Sequence, residues 1–588
     1  MREYLTPGVY FEFRDSAPPT IRRGRMDIAG FVGLAERGPL HQAVQIDSWR
    51  QFQAIFGDFL PYGFLAYTVK GFFENGGRTC FVVRIAGNTA AKASLTLKNS
   101  TGTDIFQVLA ANEGSWGNQI AIALTQINPT TLSFSLIVMR KRLNREVFPN
   151  LSINPENERY FVRLINQGNE RIAPSQWIKV EDLLPLEMIR TAMFLPDVIQ
   201  SGLKNQIGFL TGGKDGIASL ILDDFLGTSD LLTTERRGLS VFDRIDAIGI
   251  IAIPDIHIRP VLQPEPPPVV KPPEDPCLPH CLDSSFLDFS NKESQRQAGC
   301  LPHKSPNFPP LPILEQPPEF SEEDIFTVQQ SMVEHCERQQ DRVAILDARL
   351  RSDGKTSLTI SEILDWRSRF DSERGFAALY YPWIRVVDPQ PLAKEILRHI
   401  PPCGHIAGLY ARSDFTIGVH KAPANSELFW AEDTTVSIND EEQAILNPES
   451  VNCVRAFPGR GIRVYGARTI SSNPDWRYIN VRRLLSMIEE AVDESTQWAV
   501  FEPHDFLLRR SLILSISSFL ETIWRQGGLV GNTAAEAYFI KCDETNNPPS
   551  IVNQGKLIAD IGVAPTHPAE FIIFRVGRTV EELEIVER

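Results

Sequence analysis

Apolar runs and helical stripes take turns along most of this chain. IAGFVGLA (Ile28 to Ala35) is a continuous apolar run closed by Arg37, Gly38 and Pro39, the pattern of a buried strand. SWRQFQAIFG predicts a helix with Ser48 as N-cap and Gly57 as C-cap. FLAYTVKGFF (64–73) has helical spacing and stops at Glu74-Asn75-Gly76-Gly77. CFVVRIA (Cys80 to Ala86) reads as a second buried strand.

From 206 to 400 the same alternation continues. DAIGIIAIPD (246–255), DRVAILD (341–347) and FAALYYPWIRVV (376–387) are predicted strands; residues 321–340 and 359–370 are predicted helices. Ser321 is the expected N-cap of the first helix. Asp324 stands where a capping box prefers Glu or Gln, so the box is expected to be imperfect. PPCGHIAG, from Pro401, reads as a turn entering a strand. Further on, Leu512, Ile516, Phe519, Leu520 and Ile523 share one face of a helix from Arg510 to Gln526, stopped by Gly527-Gly528. EAYFIKCDE (536–544) and EFIIFRV (570–576) read as strands.

Two segments break the alternation. Residues 87–205 are richer in Asn, Ser and Thr and carry short β-type runs such as LSFSLIVM (Leu132 to Met139), which predicts a mostly β insertion domain. Residues 257–320 hold QPEPPPVVKPPEDP and PNFPPLPILEQPP; proline at that density gives an extended surface excursion. The expected organisation is an arm (1–25), the first part of an α/β core (26–86), the insertion (87–205), an α/β domain interrupted by the excursion (206–400) and a C-terminal domain (401–588). The fold class is α/β, α+β overall, and multidomain, as 588 residues allow.

Composition is that of folded material: 43% hydrophobic and 22% charged residues. A formal net charge of −14 disfavours nucleic acid and anionic membranes as whole-chain partners. The basic runs Arg22, Arg23, Arg25 and Arg140, Lys141, Arg142 lack interleaved aromatics and read as solvated turns or strand ends. MREYLTPGVYFEF lacks the basic start and apolar core of a secretory signal, and no apolar run is long enough to cross a bilayer. Eight scattered cysteines suit free thiols in a reducing compartment.

Candidate chemistry is fragmentary. GFLTGGKDG (Gly208 to Gly216) nearly spells a phosphate loop, but Asp215 replaces the Ser or Thr that would ligate Mg²⁺, and Gly216 is a poor start for a helix. A tight turn needing positive φ is the better reading. Asp255 and Asp347 end predicted strands, where carboxylates hold metal or cap the next element. Cys403 and His405 are too close in sequence to be read as a nucleophile and base. Cys277, Cys281, Cys300 and His303, with His280, could form a zinc site, although their spacing fits no common module. No catalytic residue, cofactor or assembled active site emerges, so the expectation is a structural protein; a metal-dependent α/β enzyme on Asp255 and Asp347 is the alternative from another class.

Several separate runs resemble the contractile tail sheath family of phages and related injection systems. They are PPCGHIAGLYARSDFTIGVHKAPAN (401–425), FPGRGIRVYGARTI (457–470), WRYINVRRL (476–484), WAVFEPHD (498–505), FLETIWRQGGLVG (519–531) and IGVAPTHPAEFIIFRVG (561–577). PGVYFEF, FVGLAERGP, GFFENGGRTCFVVR and TGGKDG also fit. The insertion and the proline-rich excursion depart from the family pattern. The resemblance implies a subunit that polymerises as stacked hexameric rings around an inner tube and contracts without a cofactor. It implies inner tube, baseplate and terminator or cap proteins as partners, assembly in the cytoplasm, and membership of a phage tail or phage-tail-like particle. Membrane insertion is not implied, and a non-contractile baseplate component on the same fold is the second reading. Within that frame Val9, Tyr10, Phe11 and Phe13, and Phe571, Ile572, Ile573 and Phe574, are expected to pair as strands with neighbouring subunits. Arg509, Arg510 and Arg525 are candidates for tube contacts.

Overall fold

The computed structural model describes residues 21, 23–140, 144–185, 187–203, 207–227, 236–260, 315–351, 353, 356–390 and 396–570. Val9–Phe13, Phe571–Val576, the zinc candidates Cys277, Cys281, Cys300 and His303, and most of the proline-rich excursion lie outside these residues.

The chain enters the core through β1 (Ala29–Gly33), buried at all five positions. Next come β2 (Ala43–Ile46), α1 (Trp49–Phe56), α2 (Leu65–Glu74) and β3 (Cys80–Arg84). The α1 caps form as expected: Ser48 Oγ accepts from Gln51 N at 3.2 Å, and Gly57 closes the helix at φ 90°.

The insertion is built from β4 (Ser94–Lys98), β5 (Asp104–Ala110), β6 (Ile120–Asn128), β7 (Ser133–Arg140), β8 (Asn144–Ser152), α3 (Phe161–Asn166), β9 (Ile178–Asp182) and β10 (Ile207–Phe209). These form two antiparallel sheets, ordered β4-β5-β9 and β10-β6-β7-β8. Between them Phe106, Phe134 and Phe161 cluster with centroids 4.7–6.1 Å apart, in a core separate from the rest of the molecule. The closing strand β10 lies beyond residue 205, because Ile207–Phe209 pairs with Ala121–Ala123 of β6. The incoming and outgoing chains meet as one pair, with reciprocal 3.0 Å bonds between Ala91 and Lys214. Arg140, expected in solvent, is buried in an ion pair with Glu36 at 2.7 Å, tying the insertion to the core.

The core resumes with α4 (Leu222–Leu226), β11 (Ile250–Ala252), α5 (Glu322–Gln339), β12 (Val343–Asp347), α6 (Ile360–Ser368), β13 (Ala377–Tyr381), β14 (Ile384–Val387), β15 (Leu397–Ile400), α7 (Cys403–Thr416), β16 (Asp433–Thr434), α8 (Asp440–Leu446), β17 (Val451–Phe457) and β18 (Gly461–Tyr465). One eight-stranded sheet, ordered β18-β17-β13-β12-β11-β1-β3-β2, runs through it, parallel except for the two edge strands. Its interior strands are apolar at nearly every position because both faces are covered.

Four expectations change here. The strand read over 246–255 is only Ile250–Ala252; Pro254 turns the chain into a 3-10 helix that carries Asp255. The run 376–387 is two strands in different sheets, broken at Pro382, which has no N–H for a ladder. PPCGHIAG starts the helix α7, not a strand. Ten residues of α7 are buried, so it shows no single apolar stripe. Gly404 and Gly408 let it lie against α2, where a Cβ would meet the carbonyls of Thr68 and Phe72. Finally, Asp324 completes its capping box: its carboxylate accepts from Ser321 N at 2.8 Å.

The last unit holds α9 (Ile479–Thr496), α10 (Phe506–Arg525), β19 (Tyr538–Lys541) and β20 (Asp560–Val563), around Met26, Val419, Leu484, Met487, Ile516 and Leu520. Its boundary falls near residue 470 rather than 400, because α7, β17 and β18 belong to the large core. Arg483 of α9 and Asp414 of α7, both buried, join the two units at 2.5 Å.

Candidate assembly surface

The near-phosphate loop is a turn. Its amides are spent inside the fold: Gly213 N donates to Asn118 Oδ1 at 2.9 Å, Lys214 N to Ala91 O at 3.0 Å, and Asp215 N and Ile217 N to the Glu315 carboxylate at 3.2 and 2.9 Å. Asp215 accepts from Ser115 N and Oγ at 2.7 and 2.6 Å. Gly212 and Gly216 take φ of 86° and 71°, where other residues are strained.

The two strand-end carboxylates are fully buried organisers of backbone. Asp255 accepts from Leu34 N at 2.6 Å, as β1 ends, and from Phe64 N, as α2 begins. Asp347 accepts from Cys403 N at 3.0 Å, at the positive end of α7. Burial pushes Asp255 up to about 6 and Asp347 up to about 7, against the amide hydrogen bonds that favour the anions. Cys403 and His405 form no dyad. Burial drives the thiol well up and the imidazole down to about 4, and His405 stacks on Trp430 with centroids 5.6 Å apart. Among the described residues no group of three His, Cys, Asp or Glu could hold a metal ion.

The exposed face of α10 is the clearest candidate for contact with another molecule. Asp505 caps the helix, its side chain accepting from Leu508 N at 2.8 Å. Leu508, Leu512, Ile516, Phe519, Leu520 and Ile523 turn inward. At about 100° per residue, Leu507, Leu514 and Arg525 line up on the opposite side, with Arg510 about 60° away. Leu507 is 67% exposed, Phe506 64% and Leu514 51%, and Phe501 stands fully exposed just before the helix. Arg509 points toward the packed side and is half-buried, so the geometry groups Arg510 with Arg525 and leaves Arg509 apart. Arg525 also pairs with Glu521 at 2.5 Å. The exposed leucines, which residue type alone did not mark as contact sites, follow from the remainder of the i, i+7, i+18 stripe.

The profile of the phage tail sheath protein central domain matches residues 321–470, and that of the phage tail sheath C-terminal domain matches residues 471–579. Residues 321–579 thus match the two phage tail sheath domains from end to end. The junction of the two sheath domains coincides with the boundary between the large core and the α9–α10 unit. Among curated sheath relatives, the tail sheath protein of Salmonella phage ViI is 22% identical over 271 residues, 44% of this chain and 40% of that protein. The tail sheath protein of Enterobacteria phage T4 is 26% identical over 182 residues, 30% of this chain and 27% of that one. The chain thus spans less than half the length of these relatives. The sheath fold itself extends further. The helical sheath of the anti-feeding prophage in its contracted state covers 98% of this chain and 100% of its own, at 19% identity and a TM-score of 0.51. The sheath tail protein from Listeria innocua covers 92% of this chain and 95% of its own, at 10% identity and a TM-score of 0.51. No helix among the described residues is long and apolar enough to cross a membrane.

Proposed function

We propose that this chain is the structural subunit of a contractile sheath. It polymerises as stacked hexameric rings around an inner tube and shortens to drive that tube through a target envelope, without catalysing a reaction. The observation that carries this reading is where the chain ends depart. Ile21, Arg23 and Met26 pack on the α9–α10 unit, with Arg23 Nε 3.0 Å from Met487 Sδ and Met26 in its core. The other end leaves beside it: Thr566 donates to the carbonyls of Gly527 and Gly528 just after α10, at 2.9 and 3.2 Å, and Glu570 is held by Arg468 of the adjoining large core at 2.5 Å. Beside them β19 and β20 form a sheet of only two strands, with Phe539 60% exposed. A two-stranded sheet is marginal alone and gains from added strands. Val9–Phe13 and Phe571–Val576 supply them in neighbouring subunits, so rings stay joined while their spacing changes. Energy for shortening resides in the difference between two subunit lattices and adds over many copies. The exposed stripe of α10, with Arg510 and Arg525, faces the tube; Arg509 contributes from its flank. The insertion projects outward, and baseplate and terminator proteins close the two ends of a phage tail or phage-tail-like particle assembled in the cytoplasm.

Deleting residues 1–20 tests the proposal. The shortened chain is expected to sediment as folded, non-polymeric protein; tubes of normal appearance would defeat strand exchange. Electron microscopy of the intact chain expressed with a tube protein separates the alternatives, since long cog-like tubes mark a sheath and isolated rings a baseplate component.

A further inference from the structure

The end of the β4-β5-β9 sheet away from the Ala91–Lys214 pair carries an apolar strap. After β9 the chain crosses that end, where Leu183 N donates to Ile105 O at 3.0 Å and Asp197 N to Lys98 O at 2.7 Å. Leu184, Phe194 and Val198 pack on the core of the insertion. Other apolar side chains of the strap face solvent. Ile189 is 85% exposed and Ile199 83%, and Leu183, Met188 and Met193 are exposed on the same strap. Arg190 is buried against Asp182 at 2.8 Å, so it adds no charge to the outer surface. Large apolar residues grouped in this way mark a contact surface, and methionine among them adapts to the shape of its partner.

Where the proline-rich excursion rejoins the core indicates the occupant. Arg259, before it, pairs with Glu319, after it, at 3.3 Å, so the excursion leaves from and returns to one place. Its returning end is fixed at the foot of the insertion. There the Glu315 carboxylate accepts from Asp215 N and Ile217 N at 3.2 and 2.9 Å, next to the Ala91–Lys214 pair. From Ala91 to Lys98 extended chain covers about 23 Å. Residues 307–314 in polyproline geometry cover about 25 Å. Ser305 to Leu314 reads SPNFPPLPIL, with four prolines, four large apolar side chains and no charge. We propose that this segment docks on the strap of its own chain, with Phe308 set among Ile189, Met193 and Ile199. The tether at Glu315 holds the segment at a local concentration that a free partner does not reach. Its prolines restrict it before it docks, so less chain entropy is lost on contact. The contact joins the two segments that interrupt the alternation of the core. It needs no second copy, so its failure would leave the sheath reading intact.

The test replaces Ile189 of the full chain with the photoreactive residue p-benzoylphenylalanine, irradiates it in dilute solution and maps the products by mass spectrometry. Cross-links are expected to residues 305–314 of the same chain, running as monomer on a denaturing gel. Phe308→Ser with Leu311→Ser should cut their yield about tenfold, the loss expected when buried apolar side chains are removed. In the chain without the photoreactive residue, the same two serines should speed hydrogen exchange in residues 187–199 and leave the global unfolding midpoint in place. A peptide of residues 305–314 added to that variant should slow the exchange again, which a misfolded chain could not show. Cross-links running as dimers, cross-links confined to other parts of the chain, or exchange in 187–199 indifferent to the two serines would each overturn the proposal.

Discussion

Asp255 and Asp347 show what single residues contribute. Each is a carboxyl group in an apolar interior, retained because it satisfies backbone N–H groups where elements meet. Replacing Asp255 with Ala strands the amides of Leu34 and Phe64 and is expected to cost about 3 kcal/mol in a denaturant titration. Both groups have folded-state pKa values, about 6 and about 7, above the usual 3.8. The folded chain therefore holds protons that the unfolded chain has released between pH about 4 and about 7, and stability falls as pH rises through that window. Asp347→Asn keeps an oxygen to accept from Cys403 N and removes the titration. Its stability should decline less between pH 4.5 and 7.5 than that of the parent, measured by guanidinium unfolding. Sequence placed both carboxylates near strand ends. It did not reveal their partners, because Leu34 lies 221 positions from Asp255 and only the sheet brings them together.

At the scale of elements, α10 and α7 are opposite cases. One side of α10 is wet, so its stripe of Leu512, Ile516, Phe519, Leu520 and Ile523 was legible. α7 is buried at ten of its fourteen positions, against α2 and the sheet, and its glycines, which serve close packing, read as turn residues. The same division makes a prediction. Ile516→Ala should cost about 3 kcal/mol through lost burial and a cavity. Leu507→Ser with Leu514→Ser should leave stability within about 0.5 kcal/mol, since neither side chain is packed. Those two serines should instead weaken co-sedimentation with assembled tubes several-fold. A large loss of stability would show that the outer stripe is packed after all, and unchanged co-sedimentation would remove α10 from the proposed tube contact.

For the whole molecule, the alternation of strands and helices conveyed an α/β core, and the Asn, Ser and Thr-rich stretch marked the insertion. The division of the C-terminal half was hidden, because β17 joins the large sheet by pairing with β13, about seventy positions earlier, and no local pattern reports such a partner. The insertion has its own core and is attached through the Ala91–Lys214 pair with a few side contacts, such as Glu36 with Arg140. Excising residues 92–213 and bridging the gap with a short glycine-serine linker should therefore leave a folded core with its thermal transition nearly in place, checked by circular dichroism and calorimetry.

The same pair governs how the chain bears tension. A pull between distant parts of the sheath core can pass across the two hydrogen bonds joining Ala91 and Lys214, bypassing the roughly 120 residues that hang beyond them. While that clasp holds, the insertion is mechanically slack, and strain on the core runs mainly through the eight-stranded sheet. The appended domain can then vary in sequence and shape while the force-bearing part keeps its own.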